Sequence, residues 1–165
     1  MSEELSAKKP WIDPYEKIWI IVGLIVLAGL TTAVTVAAFA FGIQVPTPER
    51  QVDPKIVALE GPFSEPGLRD LGGGKYEAYI LGQTWTWTPK EIRVPKGSTI
   101  TFYITSRDVQ HGFQLWDTNL NVMVLPGQVS KVTITFDKPG EYIYSCNEYC
   151  GVGHHTMFGK LIVEE

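Results

Sequence analysis

Every cysteine and histidine of the chain falls in two short segments. The first is Asp108-Val109-Gln110-His111-Gly112-Phe113. The second, Cys146-Asn147-Glu148-Tyr149-Cys150-Gly151-Val152-Gly153-His154-His155-Thr156-Met157, holds both cysteines, two of the three histidines and one of the three methionines. Its spacing is Cys-x3-Cys-x3-His-x2-Met, and His111 stands 35 positions before Cys146. Two cysteines outside a reducing compartment ordinarily pair. A disulfide, however, gives no purpose to the His four residues on, the Met seven on, or the glycines at 151 and 153, which let a loop fold tightly around something. Zinc accepts two thiolates and two imidazoles, but its usual fingers space their ligands differently and give Met no role. Soft thiolate and thioether donors with imidazole select copper. A single blue copper needs one Cys, so the second is surplus. Two thiolates, two imidazoles, a Met and a backbone carbonyl suit two copper ions bridged by both sulfurs. Such a pair shares a one-electron change over two metals and rearranges little, as rapid electron transfer requires. No nucleophile or acid–base pair stands out, so the segment reads as a conductor. On the residues alone two rivals stay open: a membrane-tethered carrier of one Cu(I), and a disulfide-stapled β-sandwich used for adhesion or assembly.

The elements that must position these residues follow from patterning. From Lys75 onward, short alternating runs are broken by turns. Ile100, Phe102 and Ile104 share one strand face against Thr99, Thr101 and Tyr103; Val132, Ile134 and Phe136 repeat the pattern, as do Tyr142, Tyr144 and Cys146. Pro95-Lys96-Gly97, Leu125-Pro126-Gly127 and Lys138-Pro139-Gly140 punctuate them. Six to eight strands in about 90 residues predict an all-β, Greek-key sandwich or barrel over 75–165. The segment 44–74, with Pro46, Pro48, Pro54, Pro62 and Pro66 and then Gly72-Gly73-Gly74, reads as a connector.

Ahead of it, Ile18 to Ile43 contains no charged residue. At 1.5 Å per residue this run spans about 39 Å, enough to cross a hydrocarbon core of about 30 Å with tilt. A cleaved signal is the competing reading, since Ala38-Phe39-Ala40 mimics a cleavage site. The run is far longer than a signal's apolar core, and Glu3, Glu4, Asp13 and Glu16 precede it, so an anchor is expected over 18–43. Lys8, Lys9 and Lys17 lie before the span and Arg50 is the nearest cation after it. That asymmetry places 1–17 in the cytoplasm and the β domain outside the plasma membrane. With 14 Lys+Arg against 18 Asp+Glu, there is no polycationic surface for nucleic acid.

Together, SRDVQHGF and CNEYCGVGHHTMFG after a single span resemble subunit II of the haem–copper cytochrome c oxidases. The single helix and the lead-in PYEKIW are most similar to the B-family, ba-type members. The resemblance covers essentially the whole chain and implies a cupredoxin domain with a dinuclear CuA centre. It implies that Cys146 and Cys150 bridge two coppers, with His111 and Met157 completing one, and His154 and the Glu148 backbone carbonyl the other. His155 is then a neighbouring residue rather than a ligand. The resemblance also implies subunit I of the oxidase as membrane partner, and a cytochrome c or similar small protein as electron donor. Quinol oxidases carry a related subunit without the copper ligands, which argues for the cytochrome donor. Trp85 and Trp87 fall where the family keeps an aromatic cluster for electron input, although core packing is the default for such a pair. Glu16, in a Tyr-Glu-Lys context, matches a glutamate at the mouth of the proton-uptake path of B-family oxidases; an interfacial charge is the plainer reading. Asp108 is a candidate hydrogen-bond acceptor fixing the loop before His111.

Overall fold

The computed structural model describes residues 12–42 and 48–165, so the expectations for 1–11 and 43–47, including Lys8, Lys9 and Ile43, lie outside the described residues. The chain divides into two compact units, 1–43 and 44–165. Among its described residues the first contains one helix, α1 (Pro14–Ala40). Its start is encoded locally: the Asp13 side chain accepts a hydrogen bond from the Tyr15 N–H at 2.8 Å, and Pro14 takes a position where a missing N–H costs nothing. The helix therefore begins four residues before the charge-free run, and takes in Glu16 and Lys17. Its threonines are compatible with lipid because Thr32 and Thr35 donate their hydroxyls to the carbonyls of Ala28 and Thr31, each at 2.8 Å. None of its residues is buried within the chain.

The second unit is a two-sheet sandwich. One sheet runs in the order β1 (Pro48–Gln51), β9 (Gln128–Phe136), β6 (Ser98–Ser106), β3 (Lys75–Gln83), β2 (Gly67–Gly72), with the short β4 (Thr86–Thr88) on β3. The other runs β5 (Glu91–Pro95), β11 (Phe158–Glu164), β10 (Gly140–Cys146), β7 (His111–Leu115), β8 (Asn121–Val124). Pairing is mostly antiparallel; β3 with β6 and β5 with β11 are parallel. Inward residues of both sheets meet in one core, with Ile80, Ile100, Phe102 and Ile104 facing Ile92, Phe113, Leu115, Tyr144 and Leu161. This is the all-β, cupredoxin-like arrangement expected, and the alternation read in the sequence is the alternation of burial along β6.

One finding was not expected. β3 is buried on both faces: Ala78 and Ile80 point into the main core, while Tyr79 and Leu81 join Val57, Phe63 and Val129 in a second cluster. Part of the proline-rich segment read as a connector is thus a cover for the outer face of the sheet. A run buried on both sides loses the polar alternation that identifies a half-exposed strand.

Candidate metal centre

The sulfur-bearing segment is held by the sheet it leaves. Cys146 is the last residue of β10 and pairs across to Phe113 of β7, whose first residue is His111. The loop then closes on itself: the Cys146 N–H donates to the Met157 carbonyl at 2.9 Å, immediately before β11 begins. Within it a single 3-10 turn, His154–Thr156, is stitched by the His154 N–H to Gly151 O at 3.1 Å and the Thr156 N–H to Gly153 O at 3.0 Å. Adjacent residues of such a turn are about 120° apart, so His154 and His155 cannot both face the sulfurs. The loop presents His154 inward and leaves His155 exposed.

Two glycines permit this closeness. At Gly112 a Cβ would overlap the Asn147 side chain and come within 2.9 Å of the Glu148 N–H nitrogen. At Gly153 it would stand 2.5 Å from the Trp85 ring, which lies across the loop and donates from Nε1 to the Cys150 carbonyl at 3.1 Å.

The donor atoms converge. Cys146 Sγ and Cys150 Sγ are free thiols 3.7 Å apart. His111 Nδ1 is 3.8 Å from the first and His154 Nδ1 3.6 Å from the second. The Glu148 carbonyl oxygen lies 3.2 Å from Cys146 Sγ, and Met157 Sδ 3.7 Å from Cys150 Sγ. All six atoms named from the sequence are therefore gathered around one sulfur pair. The pair is too far apart for a disulfide, whose S–S bond is about 2.05 Å. It is closer than twice a metal–thiolate bond of about 2.3 Å, so both sulfurs can bond the same ion. Two soft thiolates, a thioether and two imidazoles fit copper.

Electrostatics favour a cation here. Asp108 accepts from His111 Nε2 at 2.9 Å, which leaves Nδ1 with its lone pair toward Cys146. Burial pushes the Asp108 carboxyl up. Hydrogen bonds from the Thr84 N–H, His111 and the Val109 N–H outweigh that and hold it at about 2. The Cys150 thiol is raised well above the ordinary range by burial, and further by its hydrogen bond to Cys146 and the charges of Cys146 and Asp108. Without metal this thiol keeps its proton, which a bound cation would displace.

The other named residues are placed differently. Trp87 is fully buried, edge-on to His111 with ring centres 5.7 Å apart, whereas Trp85 is 42% exposed. Only Trp85 has surface to offer a partner. Glu16 sits in the first turn of α1, in the other unit. Sequence reasoning missed an exposed apolar patch beside the centre. Trp116, Ile143 and Phe158 border a groove of about 350 Å³ that is also lined by Cys146, His154, His155 and Met157. Trp116 is fixed there by donating from Nε1 to Ser145 Oγ at 2.8 Å. An exposed Trp one position past a strand was the one available signal.

Against known proteins, residues 79–164 match the family described as cytochrome c oxidase subunit II, periplasmic domain. Cytochrome c oxidase subunit 2 of Thermus thermophilus is 42% identical over the full length of both chains. A chain of a haem–copper terminal oxidase dimer, solved by cryo-electron microscopy, superposes with a TM-score of 0.76 at 37% identity, covering 91% of this chain and 99% of that one. The periplasmic domain of subunit II of the Bradyrhizobium japonicum oxidase shares the fold, at a TM-score of 0.50 and 23% identity over 54% of this chain and 83% of its own. With the sulfur pair, its imidazoles and its thioether gathered on this sandwich, and with a full-length relative at that identity, the chain belongs to the cytochrome c oxidase subunit II family.

Proposed function

We propose that the chain is the electron-accepting subunit of a haem–copper terminal oxidase. It receives electrons from a cytochrome c or a similar small donor and hands them to the haems of subunit I, where oxygen is reduced to water and protons are pumped. It is a single-pass membrane protein and its metal is copper. The finer reading is that it holds two ions. The free sulfurs 3.7 Å apart, each with its own imidazole nitrogen within 3.8 Å, carry that reading. In it Cys146 and Cys150 would be shared by both ions, His111 and Met157 would hold one copper, and His154 with the Glu148 carbonyl would hold the other. When bound, such a pair supplies a one-electron store that changes shape little between its two states.

The chain's own residues do the rest. Asp108 fixes the tautomer of His111 and keeps its Nδ1 aimed at the sulfurs. Trp87 and Phe113 pack 5.1 Å apart behind that ring and exclude water from it. Trp85, exposed and hydrogen-bonded to the carbonyl of Cys150, offers the donor a surface joined directly to a residue that carries one of the two sulfurs. In the same reading, 1–17 lies in the cytoplasm, 18–43 crosses the membrane beside subunit I, 44–74 leads out of it and packs onto the outer face of the sheet, and 75–165 carries copper on the outer side. Glu16, in the first turn of the helix, is then on the face from which protons are taken up.

Copper stoichiometry tests the centre. The full chain in detergent, loaded and freed of loose metal, is expected to hold two copper ions and to show the absorption and EPR spectrum of one delocalised unpaired electron. One ion per chain, or a disulfide between Cys146 and Cys150 in the loaded protein, would overturn it.

A further inference from the structure

The two sides of the sulfur pair differ in access. His111, Trp87 and Phe113 are fully buried on one, and the Trp85 ring lies across Gly151 and Gly153. Toward Trp116, by contrast, the groove reaches Cys146, His154 and Met157 from outside. His155 lines this groove too, and is exposed. It follows His154 in the 3-10 turn, whose geometry turns it away from the sulfurs. It has no part in the ligand set proposed above, yet an imidazole at the mouth of a channel ending in sulfur donors is itself a copper ligand.

We propose that the groove is the route by which copper is loaded, and that His155 is its first ligand. This rests on the copper reading above. The lining fixes the form of the metal. Trp116, Ile143 and Phe158 are apolar, and beyond them the donors are imidazole and sulfur. A soft, singly charged cuprous ion fits such a path better than a divalent ion that must shed a stronger hydration shell. His155 captures the ion, and His154 and Met157, 3.6 and 3.7 Å from Cys150 Sγ, pass it inward. The Cys146 and Cys150 thiols become thiolates as the two ions seat, so two protons leave to solvent while no electron moves.

The experiment uses the full chain in detergent, metal-free, reduced and anaerobic. It is mixed with Cu(I) held as its coloured bathocuproine disulfonate complex, and loss of that colour gives the uptake rate. His155→Asn is expected to slow uptake about tenfold, while His155→Met, which restores a soft donor, returns the rate to near the parent's. Copper per chain at the end, and the chromophore developed by one-electron oxidation with ferricyanide, are expected to match the parent in both variants. Unchanged uptake in His155→Asn overturns the proposal. So does an altered final chromophore, because His155 would then be a resident ligand. A parent chain that ends with one copper sinks the two-ion reading but leaves the rate comparison intact, so the two failures are separable.

Discussion

At the scale of residues, the arrangement of the donors depends on one carboxylate outside the proposed ligand set. Asp108 gathers the Thr84 N–H at 2.6 Å, the Val109 N–H at 2.7 Å and His111 Nε2 at 2.9 Å. These bonds exist only in the folded chain and favour the charged form, which lowers the carboxyl from its ordinary 3.8 to about 2. A depressed carboxylate stabilises the fold at neutral pH, and that contribution is lost as pH falls from about 4 toward 2. Urea unfolding of the metal-free chain is therefore expected to weaken across this window. Asp108→Asn should be less stable at pH 7 and converge on the parent near pH 2. Parallel curves for parent and variant would contradict the assignment. The same variant is expected to hold copper about 10- to 100-fold more weakly, because His111 loses the group that orients it.

At the scale of elements, the strands supply rigidity and one loop supplies most of the donors. β7 and β10 fix His111 and Cys146 side by side; the remaining donors belong to a loop closed by the bond from Cys146 N–H to Met157 O. Trp85 clamps that loop, and Gly153 makes room for the clamp. Gly153→Ala places a methyl 2.5 Å from the indole, so either the ring or the loop must move. A loss of about 1–3 kcal/mol in unfolding free energy is expected, with a red shift of tryptophan emission as Trp85 gains solvent. A variant of parent stability and emission would show that the ring does not bear on the loop. The candidate donors were legible in the sequence because chemistry and spacing are local properties: five of the six sit within 12 residues, and softness together with spacing separates copper from zinc. The half-exposed strands were legible for the same reason. What was not legible depends on contacts between distant segments. Burial of Tyr79 and Leu81 under Val57 and Phe63 is one case, the hydrogen bond from Trp85 to Cys150 across 65 positions is another, and the full burial of Trp87 beside an exposed Trp85 is a third.

At the scale of the whole molecule, the copper-bearing unit must meet a soluble donor, and its surface says how. Residues 44–165 carry 11 Lys+Arg and 14 Asp+Glu, a small excess of negative charge. Several of those charges are spent on each other: Arg93 with Glu91 and Glu164, Lys160 with Glu91 and Glu141, and Lys131 with Glu49. Paired surface charges of opposite sign leave little field at a distance, and salt screens what remains within about 10 Å at 0.1 M. Around the centre the large exposed apolar groups are Trp85, Trp116, Tyr149, Val152 and Phe158, beside the exposed Arg107 and Asp108, whose charges are opposite in sign and adjacent. Apolar contact is non-directional and nearly insensitive to ionic strength, so it favours a donor that docks by a matching apolar rim rather than by steering. The association rate with a reduced cytochrome c donor, followed by stopped flow, is thus expected to fall by no more than about threefold between low salt and 0.2 M, where a steered encounter falls about a hundredfold. Trp85→Ala is expected to slow association about tenfold and leave the shallow salt slope unchanged, since it removes contact area and no charge. A steep slope in the parent, or one that flattens on losing Trp85, would mean that charge guides the encounter after all.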